Sequence, residues 1–265
     1  MIERFDTHCH LDVAEFDRDR EEVWARAKER GVTRALIPAV QPSDWPRTLS
    51  TYIPGERYLA LGIHPWYLPD LSEEAVRAGL DALEQTARAN RDAVVSIGEC
   101  GLDGTVDPSR APFSRQRAVL SAQIEVAVAL DLPLVIHVLK AHGEALEALR
   151  AQRLPSRPGV VHSFSGSAEL AREYLALGLH LSFGGAITRP RARRPLLAMR
   201  ATPRERLLFE TDAPDQRPSG ILRDDPRCEP ADLGVILTAA SDVFQVAAQD
   251  LARDSTRSAR ALFGV

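Results

Sequence analysis

The chain has 265 residues, 45% of them hydrophobic and 26% charged, an ordinary globular composition with enough length for one large core. Its formal net charge of −4, with lysine confined to Lys28 and Lys140, excludes nucleic-acid binding by bulk positive charge and leaves phosphate affinity to local arginines or metal ions. Cys9, Cys100 and Cys228 are too scattered for a disulfide framework, and neither a signal-peptide pattern nor a membrane-length apolar run is seen, so a cytoplasmic protein with no membrane partner is expected.

In chain order, short apolar runs alternate with longer segments whose apolar residues recur at helical spacing. A first strand over 2–6 leads into His8 and His10. A helix is expected over 17–30, closed by Gly31, and then a strand over 34–40. The run 58–63 leads into His64 and precedes a helix over 73–90, whose acidic first turn suits the helix dipole. The run 94–98 ends in Glu99, and the next helix spans 113–130. Leu134, Val135 and Ile136 lead into His137, and Val160 and Val161 into His162. A helix over 168–177, closed by Gly178, is followed by a strand over 179–183. The last strand, 207–209, runs on to Glu210 and Asp212; an irregular loop covers 214–230, and a helix over 247–262 lies beyond it. Eight strands alternating with helices in a chain of this size predict an α/β fold, a (β/α)8 TIM barrel forming one domain over residues 1–265. The rival, a doubly wound open sheet, needs a Gly-rich turn after its first strand, where this chain has His8-Cys9-His10.

A parallel barrel gathers the C-terminal ends of its strands at one mouth, so these polar residues can meet. His8 and His10 leave the same face of an extended strand, either as ligands for Zn or a similar divalent ion or as ordinary polar residues closing the strand. Glu99 has no Lys or Arg near it in sequence, so metal ligation explains a buried carboxylate there better than pairing with a distant Arg does. A single histidine in the place of His137 or His162 reads as a hydrogen-bonded core residue, but two on successive strands favour ligation. Asp212 can ligate a metal, accept a proton or cap the turn before Pro214, and period two puts Glu210 on its face one layer deeper. His180 precedes its strand and belongs at the opposite end of the barrel, in a structural role. His142 opens the helix after strand five, as a cap or a substrate contact.

The segments DTHCHLD, GIHP, GECGLD, LPLVIH, GVVHSFSG and ETDAP, in that order from Asp6 to Asp212, resemble the TatD family of metal-dependent deoxyribonucleases, and with GGAITRPRA the set is similar to the YjjV-like branch. The resemblance implies an amidohydrolase-like barrel with two divalent ions, Zn, Mg or Mn. His8, His10 and Asp212 would hold one, His137 and His162 the other, and Glu99 would bridge them, with His64 facing the site as a substrate contact. The implied reaction is hydrolysis of DNA or a short oligonucleotide, 3′ to 5′ on single strands, by a monomer in which Asp212 acts as base beside Glu99. Two cations neutralise the diester, lower the pKa of a water and stabilise the departing alkoxide.

The chain also departs from the family pattern. Where an arginine is usual two positions after the fifth-strand histidine, it has Leu139 and then Lys140, which supplies charge without bidentate geometry. The aromatic residue usual after GLD is replaced by Gly104-Thr105, and the asparagine before Glu-Pro by Cys228, which reads as a structural loop residue ahead of the alternative, a thiolate near the metal. Arg189, Arg191, Arg193 and Arg194 after strand seven read either as a solvated helix start or as phosphate contacts, with Arg191 the contact expected in the second case. Amide or ester hydrolysis by the same metal chemistry, or a metal-binding scaffold without turnover, are the alternative functions.

Overall fold

The computed structural model describes residues 2–265. Eight parallel strands pair in sequence order: β1 Arg4–Asp6, β2 Val32–Pro38, β3 Arg57–Leu61, β4 Val94–Asp103, β5 Leu134–Leu139, β6 Gly159–Val161, β7 His180–Phe183 and β8 Leu207–Phe209. Beyond the last ladder, Thr7 N–H donates to Phe209 O (3.2 Å) and Asp212 N–H to His8 O (2.9 Å). These two bonds draw β8 against β1 and nearly close the ring, which excludes the doubly wound sheet. Around it lie α1 Arg20–Glu29, α2 Trp45–Ser50, α3 Glu73–Ala89, α4 Phe113–Leu130, α5 His142–Arg150, α6 Ala168–Ala176, α7 Arg193–Ala201, α8 Leu233–Phe244 and α9 Ala248–Phe263. Among the described residues no single helix is long and apolar enough to cross a membrane.

The alternation of side chains along each strand builds the two ends of the barrel differently. Phe5, Leu36, Tyr58, Val95, Val135, Val160 and Leu208 form one buried cluster with Ala259, Leu262 and Phe263 of α9. The Phe263 ring lies 5.9 Å from that of Phe5, so α9 seals the N-terminal end. Burying each such aromatic stabilises the fold by roughly 1.5–3 kcal/mol. Two residues further along the same strand faces, Val135 gives way to His137 and Val160 to His162, while Leu208 leads through Glu210 to Asp212. An apolar floor and a polar mouth thus follow from one period of two. His180, the first residue of β7, lies at the sealed end, as its place before the strand implies.

The longest strand, β4, is buried along its whole length and does not stop at Glu99. Its pairing with β5 continues through Gly101 opposite His137 and Asp103 opposite Leu139, so Cys100-Gly101-Leu102-Asp103 is strand, although its glycine suggests a turn. Glycine makes this possible: Gly98 and Gly101 have φ of 143° and 144°, and a Cβ on either would collide with the backbone carbonyl of Val135 or His137. The close approach carries both Glu99 and Asp103 to the mouth.

Candidate metal centre

Glu99 lies at the centre of the mouth, 2% exposed. Its Oε2 is 3.3 Å from His8 Nε2 and 3.6 Å from His10 Nε2. Its Oε1 is 3.1 Å from His64 Nε2, 3.3 Å from His137 Nδ1 and 2.8 Å from His162 Nε2. Asp212 Oδ1 completes the first group, 3.5 Å from His8 Nε2 and 3.6 Å from His10 Nε2. Among the described residues no Lys or Arg pairs with Glu99. Burial disfavours its charge, yet the imidazoles of His162, His64 and His8 hold its carboxyl well below the usual carboxylate range.

Hydrogen bonds around the rim decide which nitrogen of each ring faces inward. His10 Nδ1 lies 3.2 Å from Pro38 O; a carbonyl can only accept, so Nδ1 carries the proton and Nε2 turns its lone pair to the centre. His137 Nε2 donates to Asp103 Oδ2 at 2.8 Å, which leaves Nδ1 bare. His162 Nδ1 faces Glu210 Oε1 at 3.4 Å, so Nε2 points inward. His64 is the reverse case. Its Nδ1 accepts the Trp66 backbone N–H at 3.1 Å, which puts its own proton on Nε2, directed at Glu99 Oε1. Burial pushes the His64 pKa down to about 4, so the ring stays neutral and acts as a donor rather than a ligand.

Ligand atoms gather within 4.8 Å of one another in the groups His8, His10, Asp212; His8, Glu99, His162; and His64, Glu99, His137, the last losing His64 to its proton. His137 Nδ1 and His162 Nε2 lie 3.2 Å apart, and both face Glu99 Oε1, at 3.3 and 2.8 Å. A divalent ion with mixed nitrogen and oxygen ligands fits this set.

The six residues expected as ligands, His8, His10, Glu99, His137, His162 and Asp212, therefore come together, and His64 faces them. Lys140 and Arg191, expected as substrate contacts, do not line the cavity of about 610 Å³ above the centre, whereas Leu139 and Arg189 do. Both are exposed. Lys140 sits at φ 51° where β5 leaves the sheet, and the helical turn Gly185–Thr188 brings Arg189 to the rim and leaves Arg191 beyond it. His142 also stands outside the lining, its Nδ1 3.1 Å from Tyr174 Oη. Cys228 is buried with Sγ 3.7 Å from Thr211 O, and burial pushes its thiol up, which suits a structural loop residue.

Three participants have no place in the motif reading. The Asp103 carboxylate accepts from His137, from Trp66 Nε1 (2.5 Å) and from Thr105 N and Oγ1 (2.6 and 2.5 Å). Burial opposes its charge, but His137 and Thr105 hold it at about 2. The signal was present in GECGLD, where period two from Glu99 reaches Asp103. Gln216 Nε2 donates to Asp212 Oδ2 and to Ser163 Oγ, tying the loops after β6 and β8 together behind the carboxylate. Trp66 stands 53% exposed at the rim beside Tyr67.

A family model described as TatD related DNase matches residues 5–264. YjjV of Escherichia coli K12, described as an uncharacterized metal-dependent hydrolase, is 37% identical over 235 residues, 87% of each chain. The 3′-5′ ssDNA/RNA exonuclease TatD of Erwinia billingiae is 34% identical over 268 residues, 98% of each chain. The crystal structure of E. coli YjjV superposes with a TM-score of 0.89 at 31% identity, over 99% of this chain and 98% of that one.

Proposed function

The chain belongs to the TatD-related DNase family of metal-dependent hydrolases, and from that premise we propose that it hydrolyses phosphodiester bonds, removing nucleotides from the 3′ end of single-stranded DNA with two divalent ions. The observation that carries this reading is the division of Glu99, one oxygen facing His8 and His10 and the other His137 and His162. In it, His8, His10 and Asp212 would hold one ion and His137 and His162 the other, with Glu99 available to both. When bound, the ions supply the positive charge that neutralises the diester and brings the pKa of a water toward neutrality.

The chain's own groups do the rest. Asp212 takes up the water's proton on the carboxylate whose Oδ1 faces His8 and His10, while Gln216 fixes its Oδ2. The His64 Nε2–H steadies Glu99 Oε1. Arg189 at the rim supplies the cation that Leu139 does not. A cavity of about 610 Å³ admits a strand end more readily than an intact duplex.

Amide hydrolysis is the second reading, favoured by the acidic rim residues Glu15 and Asp215, which repel a polyanion but not a neutral amide. Protein reconstituted separately with Mg, Mn and Zn is to be compared on oligonucleotides, bis-(p-nitrophenyl) phosphate and acyl amides. Oligonucleotide cleavage is expected with at least one ion, and Asp212→Asn should abolish turnover while metal remains bound. Faster turnover of an amide than of any phosphodiester would replace the proposal, and normal activity in Asp212→Asn would remove Asp212 as the base.

A further inference from the structure

Trp66 is exposed where its chemistry is least expected to be. Trp24 and Trp45 are 1% and 4% exposed, whereas Trp66 keeps 53% of its surface open beside the candidate metal centre. Its ring is nonetheless fixed. The Nε1–H donates to Asp103 Oδ2 at 2.5 Å, the same carboxylate oxygen that accepts from His137 Nε2 at 2.8 Å. The ring centroid lies 5.4 Å from that of His64 and 5.9 Å from that of His137, edge to face with both. An indole pinned by its polar edge offers its remaining ring surface to the cavity in one orientation, at little further entropic cost on binding. It also occupies the corner at Asp103 where Gly104-Thr105 supply no aromatic side chain.

We propose that Trp66 is a stacking platform for a planar heteroaromatic base, the nucleobase next to the scissile phosphodiester, so that the cavity selects base-bearing strand ends over abasic ones. The identity of the bond cleaved rests on the phosphodiesterase reading; the stacking itself does not. Stacking of a base on an aromatic side chain changes affinity by roughly ten-fold or more, whatever the base, because every base has a π-face.

With its two other tryptophans buried out of a ligand's reach, contact quenching of the protein's fluorescence by a bound base reports on Trp66. Metal-free protein is titrated with tetrathymidylate and with the abasic tetramer of the same backbone. Saturable quenching is expected from tetrathymidylate, at about ten-fold lower concentration than from the abasic chain. In the metal-reconstituted enzyme the same preference should appear in KM. Trp66→Ala should remove it, and Trp66→Phe, which loses the bond to Asp103 but keeps a ring, should retain it. Equal quenching by both tetramers, a preference that survives in Trp66→Ala, or its loss in Trp66→Phe would overturn the proposal, the last by tracing the effect to Asp103. Base-dependent quenching in a protein that cleaves no phosphodiester would support the stacking site and overturn the proposed reaction, so the two can fail separately.

Discussion

Asp103 decides which nitrogen of His137 meets Glu99. An acceptor-only carboxylate fixes the proton on Nε2, whereas an amide in its place can present either an acceptor or a donor and so permits the wrong tautomer. Asp103→Asn is expected to cost about 10–100-fold in metal affinity or in kcat/KM. Calorimetric titration of the metal-free variant would show it, and wild-type affinity with wild-type turnover would remove Asp103 from the site. The ligands themselves were legible in the sequence because each ends an apolar run. Asp103 was not, because GLD after Glu99 looks like a turn, and the glycines that suggest one serve here to let two strands approach. The role of His64 was only half legible: its place at a strand end follows from the run before it, but its proton is set by a backbone N–H two residues on.

Among the elements, β4 carries the most chemistry and tolerates the least change. Gly101→Ala would force a side chain against the His137 carbonyl from a backbone at φ 144°, where L residues are strained. A loss of about 3 kcal/mol in urea denaturation is expected, since overpacking and backbone strain each cost about 1–3 kcal/mol, together with weaker metal binding as β5 shifts. Unchanged stability would mean that β5 yields freely at this point. The helices legible in the sequence, α1, α3, α4, α6 and α9, all have at least nine residues, enough turns for a helical period to show. Of the others, α5 was anticipated from His142 and α7 from the arginine run before it, though neither was given bounds, whereas α2, six residues opening on Trp45-Pro46, and α8, apolar along most of its length with too little contrast between faces, were not.

For the whole molecule, the two ends of the barrel respond to acid for different reasons, and the sealed end can be read alone. Burial, with Arg206 adding repulsion, pushes His180 down to about 4, so it stays neutral in the fold. The unfolded chain takes up this proton near its ordinary pKa of about 6.5 and so binds more protons between these values. The stability present at pH 7 should therefore fall as pH drops from about 6.5 to about 4, by roughly 1 kcal/mol per pH unit, with no further loss from this group below that window. Denaturation of metal-free protein at pH 7 and pH 5 tests this. His180→Leu is expected to show the shallower dependence, and parallel slopes would clear His180 of any part in it.

The seam between the first and last strands joins residues 202 positions apart at Thr7 and Phe209. His8 and His10 stand on one side of it and Asp212 on the other, whereas Glu99, His137 and His162 come from three neighbouring strands, β4 to β6. The two halves of the centre therefore depend on different lengths of chain: Glu99, His137 and His162 need only the strands up to β6, whereas His8 and His10 meet Asp212 only where β8 lies against β1. A chain that stops short of β8 lacks Asp212, so the group of His8, His10 and Asp212 is complete only in the whole barrel.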